Sequence, residues 1–243
     1  MGMKIKKSEK AEILIIIPAY KEADNIENLV NNIINNCPQY DYVIVNDGSK
    51  DATRFICQKN GYNFIDLPIN LGIGGAVQAG YKYAERESYT IAIQIDGDGQ
   101  HDISQIDKVI KPLQDGRADI VIGSRFIQKE GFQSSSLRRM GIRFLSGLIW
   151  MCTGKKILDV TSGYRAVNKK FIEIYAENYP SDFPEPEAIV AAIMHKGKVM
   201  EVPVSMKERQ TGTSSIHAWK SVYYMIKVSL AILVCRISFG IRR

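Results

Sequence analysis

The first half of the chain alternates short runs of consecutive apolar residues with segments of helical periodicity. The apolar runs end in polar or glycine-containing turns, and they predict buried strands over 13–18, 42–45, 63–67, 91–95 and 120–123. The segments between them predict helices over 22–36, 51–60, 76–87 and 104–113. Because strands that alternate with helices form right-handed βαβ units, the pattern predicts an α/β fold with a Rossmann-like, mainly parallel sheet flanked by helices.

This regular alternation fades after Arg125. The later segments predict a polar loop, an apolar stretch, a helix and a strand, over 125–139, 140–153, 182–196 and 199–204 respectively. The tail from His217 is strongly apolar and carries scattered basic residues. We therefore expect a polar N-terminal segment (1–10), one α/β domain (11–216) and a C-terminal amphipathic helix (217–243).

Composition narrows the classes of partner. The chain has 243 residues, which suits one α/β domain, and its formal net charge of +6 suits an anionic ligand or an anionic membrane surface. The sequence has no helix-turn-helix, RNA-recognition or zinc-finger signature, so nucleic acid is not an expected partner. Its cysteines form no Cys-x-x-Cys pair, and its first apolar run is too short for a secretory signal. These features favour a cytoplasmic location.

Two carboxylates follow the strand predicted over 91–95, in the sequence Asp96-Gly97-Asp98. Open α/β sheets bind ligands at the carboxyl ends of their strands. Oxygen-rich ligands of this kind suit Mg²⁺ or Mn²⁺, which bind through one or two carboxylates together with substrate phosphates. The alternative is an acidic turn that merely ends a strand.

Two other strand ends carry polar turns, at 18–22 and 46–49. Consecutive parallel strands would bring all three turns to one edge of the sheet, where a nucleotide can span them with its diphosphate near Asp96. The glycines of 72–75 do not have the Gly-x-Gly-x-x-Gly spacing, and the Walker A pattern is absent from the sequence. A dinucleotide site and a P-loop are therefore both disfavoured.

Four segments together resemble the family 2 glycosyltransferases of the GT-A fold, and the resemblance extends from Ile13 to Ser215. They are Pro18–Glu22, Val45–Asp51, Asn70–Ala76 and Asp96–His101. The resemblance implies binding of a nucleotide-diphosphate sugar together with Mg²⁺ or Mn²⁺. One departure is Asn46, where many members of the family have a second aspartate.

The resemblance also implies roles for individual residues. Asp47 corresponds to the residue that reads the base, and Asp96 to a residue near the ribose or diphosphate. The implied donor-binding set is Pro18, Ala19, Glu22, Asp47, Gly72, Asp96, Gly97 and Glu187. The implied metal ligands are Asp96, Asp98 and Gln100.

The second half of the chain resembles the dolichol-phosphate-mannose and polyprenyl-phosphate-hexose synthase branch. The segments that carry this likeness are Ile122–Arg125, Asp159–Arg165 and Arg209–Ser215, and Tyr179–Glu187 is similar to compact bacterial members. The Gln-x-x-Arg-Trp motif of processive synthases is missing from the sequence, so one sugar per acceptor is expected. The branch implies inverting transfer of a hexose, with UDP-glucose or UDP-N-acetylglucosamine favoured, to a polyprenyl phosphate such as undecaprenyl phosphate.

A phosphate acceptor is already an anionic nucleophile, and arginine binds phosphate through two parallel hydrogen bonds. By resemblance, the arginines expected at the acceptor phosphate are Arg125, Arg138, Arg139 and Arg209, with Arg138 and Arg139 as alternatives for one position. The expected catalytic set is Asp98, Asp159, Arg125 and Arg209. Asp159 can orient an arginine or bind the donor sugar, and Glu187 can contact sugar hydroxyls. The structural alternatives are a helix cap for Asp159 and a first-turn acid for Glu187.

The tail contains no stretch of about twenty uninterrupted apolar residues, because Lys227 and Arg236 interrupt it. We expect a helix that lies on the inner face of the plasma membrane, with an ordinary core or oligomer-contact helix as the alternative. A small membrane-protein partner or a homo-oligomer is compatible with this pattern. Two other functions stay open: transfer to a sugar or protein hydroxyl, and a catalytically silent nucleotide-sugar-binding scaffold.

Overall fold

A computed structural model describes residues 12–128, 136–182, 184–206 and 218–241. The strands are β1 (Ile13–Ala19), β2 (Asp41–Asn46), β3 (Phe64–Asp66), β4 (Ile91–Gln94), β5 (Ile120–Ser124), β6 (Arg165–Asn168) and β7 (Val199–Pro203). The helices are α1 (Ile26–Asn36), α2 (Thr53–Lys59), α3 (Gly72–Arg86), α4 (Ile106–Gln114), α5 (Ser136–Thr153), α6 (Lys169–Glu177), α7 (Pro184–Met194) and α8 (Ala218–Ile241). A 3₁₀ turn at Ile103–Gln105 precedes α4.

The strands form one sheet in the order β3-β2-β1-β4-β6-β5-β7. All neighbouring strands are parallel except where β6 pairs with β4 and β5. The expected α/β fold with a mainly parallel sheet is therefore confirmed. Every residue of β1 is buried, as its continuous apolar sequence predicts for a central strand covered on both faces.

Helices pack on both faces of the sheet. On one face, Leu14 and Ile16 of β1 belong to the core that contains α3 and α5 to α8. On the other face, Ile15 and Ile17 belong to the core that contains α1, α2 and α4. The alternation within one strand thus fixes which helices lie on which side.

The largest differences from the sequence expectations lie in the second half. Residues 136–139 begin helix α5, whereas a loop was expected over 125–139; residues 129–135 of that range lie outside the described residues. The strand β6 and the helix α6 were not predicted at all. In the first half, α3 begins at Gly72, four residues earlier than expected.

Helix α8 is packed into the domain. Its Val228 and Ile232 are buried in the core, and a Cβ on Gly141 of α5 would lie 3.2 Å from the sulfur of Met225. The Arg236 Nε donates a hydrogen bond of 2.9 Å to the carbonyl of Cys152 at the end of α5. Over the parts of the chain that are described, no helix is long and apolar enough to span a membrane.

The strand order places a topological switch point between β1 and β4. The chain leaves β1 toward β2 and β3 and later returns to the other side of β1 as β4. Ligands of open α/β sheets bind in the crevice where the carboxyl ends of two such strands diverge. Because β6 is antiparallel, the segment that precedes it (159–164) arrives at this same edge.

Candidate active site

The crevice between β1 and β4 brings together the predicted motifs. A Cβ on Gly97 would lie 3.0 Å from the carbonyl oxygen of Pro18 and 3.2 Å from the Cγ of Glu22, with the side chain of Ala19 next to it. The end of β1 therefore contacts the aspartate loop directly. A larger residue at position 97 would separate these two segments.

The carboxylate of Asp96 is held at the centre of the crevice. Its Oδ1 accepts a 3.0 Å hydrogen bond from the side-chain amide of Gln94. A Cβ on Gly163 would lie 2.5 Å from its Oδ2, so only glycine leaves room for this carboxylate. The side chain of Asp96 is 35% exposed, which leaves one side open to a ligand.

Asp98 and Gln100 lie on the turn that follows. The Oδ1 of Asp98 accepts a 3.1 Å hydrogen bond from the backbone N–H of Gln100, and Gly99 has a φ of +72°. Glycine adopts this left-handed conformation without strain, so it permits the tight turn. The turn places the two aspartates and Gln100 on one short loop.

This donor set fits a cation that shares its ligands with a phosphate group. Within the described ranges, no group of three or more His, Cys, Asp or Glu residues could enclose a metal ion. Mg²⁺ and related hard cations commonly use one or two carboxylates, with water and substrate phosphates completing the octahedron. Asp96 and Asp98 therefore suit an ion brought in with a nucleoside diphosphate, with Gln100 as an oxygen donor on the same turn.

Asp47 is buried and organises the loop expected at the nucleoside. Its Oδ1 accepts a 2.7 Å hydrogen bond from the backbone N–H of Leu71, at the start of α3, and its own N–H donates to the carbonyl of Ala19 at 2.9 Å. Gly72 follows directly and donates its N–H to the Asn70 side chain at 3.2 Å. Gly48, with a φ of +62°, has no space for a Cβ against the backbone of Ile69. The structure thus unites the ends of β1 and β2 with the start of α3.

The neighbour of Asp47 explains the departure from the family pattern. The side-chain amide of Asn46 donates a 2.7 Å hydrogen bond to the carboxylate of Asp66. Asp66 also forms a 3.0 Å ion pair with Arg54. An aspartate at position 46 would place two carboxylates in contact, which is unfavourable unless one is protonated.

Arg125 and Asp159 form a buried ion pair beside the aspartate loop. The guanidinium donates from Nε and Nη2 to the two carboxylate oxygens of Asp159, both at 2.7 Å, and the Arg125 N–H donates to the same group at 3.1 Å. Burial opposes the charge of Arg125, but the hydrogen bonds from Asp159, followed by the charges of Asp159 and Asp96, leave the pKa of Arg125 raised. Asp159 therefore orients an arginine, one of the roles expected for it.

Arg138 lies close enough to Arg125 for their charges to interact. Although its side chain is exposed, partial desolvation by the surrounding protein lowers the pKa of Arg138, and the positive charge of Arg125 acts in the same direction. Arg139 instead donates a 3.4 Å hydrogen bond to Ser136 on its own helix. Among the described interactions, Arg138 is thus linked to Arg125, and Arg139 to its own helix. Arg209 lies outside the described residues.

The start of α7 carries two acids, of which the sequence predicts Glu187 and not Glu185 as a site residue. Desolvation raises the pKa of Glu185, whose charge interacts with Arg165, Asp96 and Arg138. The sequence does not single out Glu185, because the segment Pro184–Glu187 contains two acids and its pattern does not indicate which one faces the crevice. Arg165 Nη1 fixes this start of α7 by donating a 2.6 Å hydrogen bond to the carbonyl of Glu185.

Glu187, expected at the donor, lies elsewhere in the described structure. It lines a cavity of about 420 Å³ between α7 and α8, together with Asp182 and Lys227. Desolvation and the nearby charge of Asp182 raise the pKa of Glu187. The structure does not bring Glu187 into a described contact with the aspartate loop, so its donor role stays a prediction.

Comparison with known proteins identifies the family. Residues 14–175 match the family described as Glycosyl transferase family 2. The chain belongs to this family. It is therefore a glycosyltransferase, as the resemblance of its motifs implied.

Two relatives carry names that refer to lipid phosphates. The UDP-N-acetylglucosamine–dolichyl-phosphate N-acetylglucosaminyltransferase of Methanococcus voltae is 32% identical over 90% of this chain and 96% of its own length. The polyprenol monophosphomannose synthase of Mycolicibacterium smegmatis is 27% identical over 89% of this chain and 85% of its own. Both names are of the kind expected for the synthase branch that the second half of the sequence resembles.

A solved structure confirms the fold. Glucosyl-3-phosphoglycerate synthase from Mycobacterium tuberculosis, determined with Mn²⁺, uridine diphosphate and glucosyl-3-phosphoglycerate, superposes with a TM-score of 0.67. The match covers 94% of this chain and 80% of that one, at 17% sequence identity. At this identity the likeness establishes the GT-A fold and no more.

Proposed function

We propose that this glycosyltransferase moves one hexose from a nucleotide-diphosphate sugar to a polyprenyl phosphate, with inversion at the anomeric carbon. The observation that carries the proposal is the juxtaposition of opposite charges at the switch point. The charge of Asp96 on the aspartate loop interacts with the guanidinium of Arg125, and the charge of Arg138 interacts with Arg125. The acidic side suits a cation and diphosphate, and the basic side suits an anionic acceptor.

On the donor side, the ends of β1 and β2 would hold the nucleoside. The carboxylate of Asp47 is oriented by the backbone N–H of Leu71, and the backbone N–H of Glu22 donates a 3.0 Å hydrogen bond to the hydroxyl of Thr53. A divalent cation held by Asp96 and Asp98, with Gln100, would neutralise charge on the departing nucleoside diphosphate. The Methanococcus voltae relative is named for UDP-N-acetylglucosamine. We favour UDP-glucose or UDP-N-acetylglucosamine as donor, with Mg²⁺ or Mn²⁺.

On the acceptor side, Arg125 and Arg138 would hold the phosphate against the anomeric carbon. Both oxygens of Asp159 are engaged by Arg125, so this carboxylate is placed to hold a guanidinium and not to accept a proton. A phosphate acceptor needs no base, because its oxygen is already anionic. An acceptor hydroxyl would need a base. Glu185, whose charge interacts with Asp96 and Arg138, is the candidate for that base if the acceptor is a hydroxyl.

The acceptor is a membrane lipid, and two neighbouring helices present apolar surfaces that suit a membrane. Exposed apolar side chains recur at spacings of three, four and seven positions on α5 (Leu137, Met140, Phe144 and Met151) and every three or four positions on α8 (Tyr223, Ile226, Leu230, Val234 and Ile237). The basic side chains Arg143, Lys227 and Arg236 are exposed on the same helices. Such a surface suits insertion among anionic headgroups. We propose peripheral attachment to the cytoplasmic face of the plasma membrane through α5 and α8.

An acceptor and donor panel tests the proposed reaction. Purified protein is incubated with undecaprenyl phosphate, Mn²⁺ or Mg²⁺, and each of several nucleotide sugars, and lipid-linked sugar is measured by mass spectrometry. We expect one hexose per lipid with a UDP-sugar, and loss of turnover with a chelator or in Asp98→Ala. Turnover that persists in excess chelator would exclude a role for the divalent cation in the reaction.

Liposome co-sedimentation tests the attachment. Leu230→Glu should weaken binding to anionic vesicles, whereas Phe55→Glu, at an equally exposed apolar residue on α2, should not. If both variants bind like wild type, the α8 surface instead serves a protein partner or a second copy of the chain.

A further inference from the structure

His101 lies buried next to the aspartate loop, and the proposed reaction gives it no task. Its side chain is 3% exposed, and its ring stacks on Tyr164 with centroids 4.8 Å apart and planes 13° apart. The hydroxyl of Tyr164 donates a 3.1 Å hydrogen bond to the carbonyl of Asp102, which fixes the tyrosine in turn. The orientation of the imidazole is therefore set by its surroundings.

Both nitrogens of this ring face Asp96. Nδ1 accepts a 3.1 Å hydrogen bond from the backbone N–H of Asp96, and Nε2 lies 3.7 Å from its Oδ2. A ring nitrogen that accepts a hydrogen bond carries no hydrogen, so the hydrogen of the neutral imidazole is on Nε2. At 3.7 Å from Oδ2, this nitrogen lies near the carboxylate but beyond hydrogen-bond distance.

The contacts with Asp96 come from three sides. Gln94 donates to Oδ1, His101 faces Oδ2, and the Cα of Gly163 closes the space beneath the carboxylate. Of these three residues, His101 is the one that accepts a hydrogen bond from the backbone N–H of Asp96. Loss of the acceptor at Nδ1 would therefore release the backbone of Asp96 and let its carboxylate change direction.

We propose that His101 is a positioning residue, which fixes Asp96 in the orientation that the divalent cation and the diphosphate require. The inference rests on the proposed function, because it assigns His101 to that same site. A purely structural role would depend on ring stacking against Tyr164. A positioning role depends on the acceptor at Nδ1.

Two substitutions separate these roles. The side-chain oxygen of asparagine can replace Nδ1, whereas the longer glutamine reaches the position of Nε2 and leaves the Asp96 N–H without a partner. His101→Phe keeps the stacked ring and removes both nitrogens. His195→Gln is the matched control, since His195 also contacts an aromatic ring, that of Phe239 on α8.

The measurement is Mn²⁺ affinity in the presence of UDP, followed by electron paramagnetic resonance, with thermal unfolding recorded for each variant. His101→Asn should bind Mn²⁺ nearly as well as wild type. His101→Gln and His101→Phe should bind it at least about tenfold more weakly, as expected when a residue that orients a metal ligand is lost. His195→Gln should bind like wild type.

Equal losses in the asparagine and glutamine variants would overturn the inference, and so would a folded His101→Phe protein with wild-type affinity. If His101→Phe does not fold, the asparagine and glutamine pair still decides. If the wild type binds no Mn²⁺ in the presence of UDP, the role of the divalent cation in the proposed function is refuted, and the role of His101 is refuted with it. If the wild type binds Mn²⁺ with UDP, the result for the His101 variants tests only the role of His101 and leaves the proposed function unaffected.

Discussion

Replacing Asp159 by asparagine would remove the charge that balances Arg125 inside the domain. The side chain of Asp159 is fully buried and that of Arg125 is 8% exposed. In Asp159→Asn, one carboxylate oxygen becomes an amide group that faces guanidinium N–H donors and cannot accept from them. Breaking a buried ion pair by neutralising one partner costs about 3–5 kcal/mol. The backbone N–H of Arg125 also depends on Asp159, which supports the upper part of this range.

The expected shift is large enough to measure by thermal or urea unfolding. For a domain of this size, about 2–4 °C of Tm is lost per kcal/mol, so Tm should fall by roughly 6–20 °C. Asp115→Asn is the control, because Asp115 forms exposed ion pairs with Lys111 and Arg117 at 3.1 and 3.0 Å. Exposed pairs contribute little, so the Tm of the control should hardly move.

The KM for the lipid phosphate acceptor provides a functional measurement for the same variant, Asp159→Asn. Because Asp159 holds the guanidinium in place, the KM for polyprenyl phosphate should rise more than the KM for the nucleotide sugar. Equal Tm losses in Asp159→Asn and Asp115→Asn would refute the buried-pair reasoning. A selective loss of donor affinity would refute the acceptor assignment of Arg125.

Three further outcomes follow from individual contacts. Arg138→Ala should raise the acceptor KM while Arg139→Ala leaves it near wild type, measured as initial rates against lipid phosphate; the reverse order would assign the phosphate to Arg139. Glu185→Gln should raise the free energy of unfolding at pH 7, because the raised pKa of Glu185 means that its ionised form opposes folding. That gain should shrink as pH falls and vanish below about pH 4, where the acid is protonated in both states, and a gain that persists there in urea titrations would contradict the cause. Asn46→Asp should lower the unfolding midpoint, more so at pH 8 than at pH 5, because it sets a second carboxylate against Asp66; an unchanged midpoint at both pH values would refute this contact.

The first half of the fold could be predicted because local sequence decides it. The continuous apolar run of β1 and the periodic apolar face of α1 each encode their own structure. The strand β6 could not be predicted in this way. It has four residues, begins with the charged Arg165, and is held by antiparallel pairing to β4 and β5, which are distant in sequence.

The candidate site shows the same division. The motifs around Asp47 and Asp96 lie at strand ends, so a parallel sheet places them at one edge. The choices between Glu185 and Glu187, and between Arg138 and Arg139, depend on how a helix is rotated against its neighbours. Packing in the tertiary structure settles that rotation, and the two acids are separated by about 200° around a helix of 3.6 residues per turn.

The central claim is that the acceptor is an anionic phosphate, and a comparison of undecaprenyl phosphate with undecaprenol tests it most directly. The two lipids share one chain and differ in the group that Arg125 and Arg138 would bind. With a UDP-sugar and Mn²⁺, sugar should be transferred to undecaprenyl phosphate and not to undecaprenol. Comparable transfer to undecaprenol would contradict the account, because it would show that a hydroxyl serves as the acceptor and that the two arginines have another role.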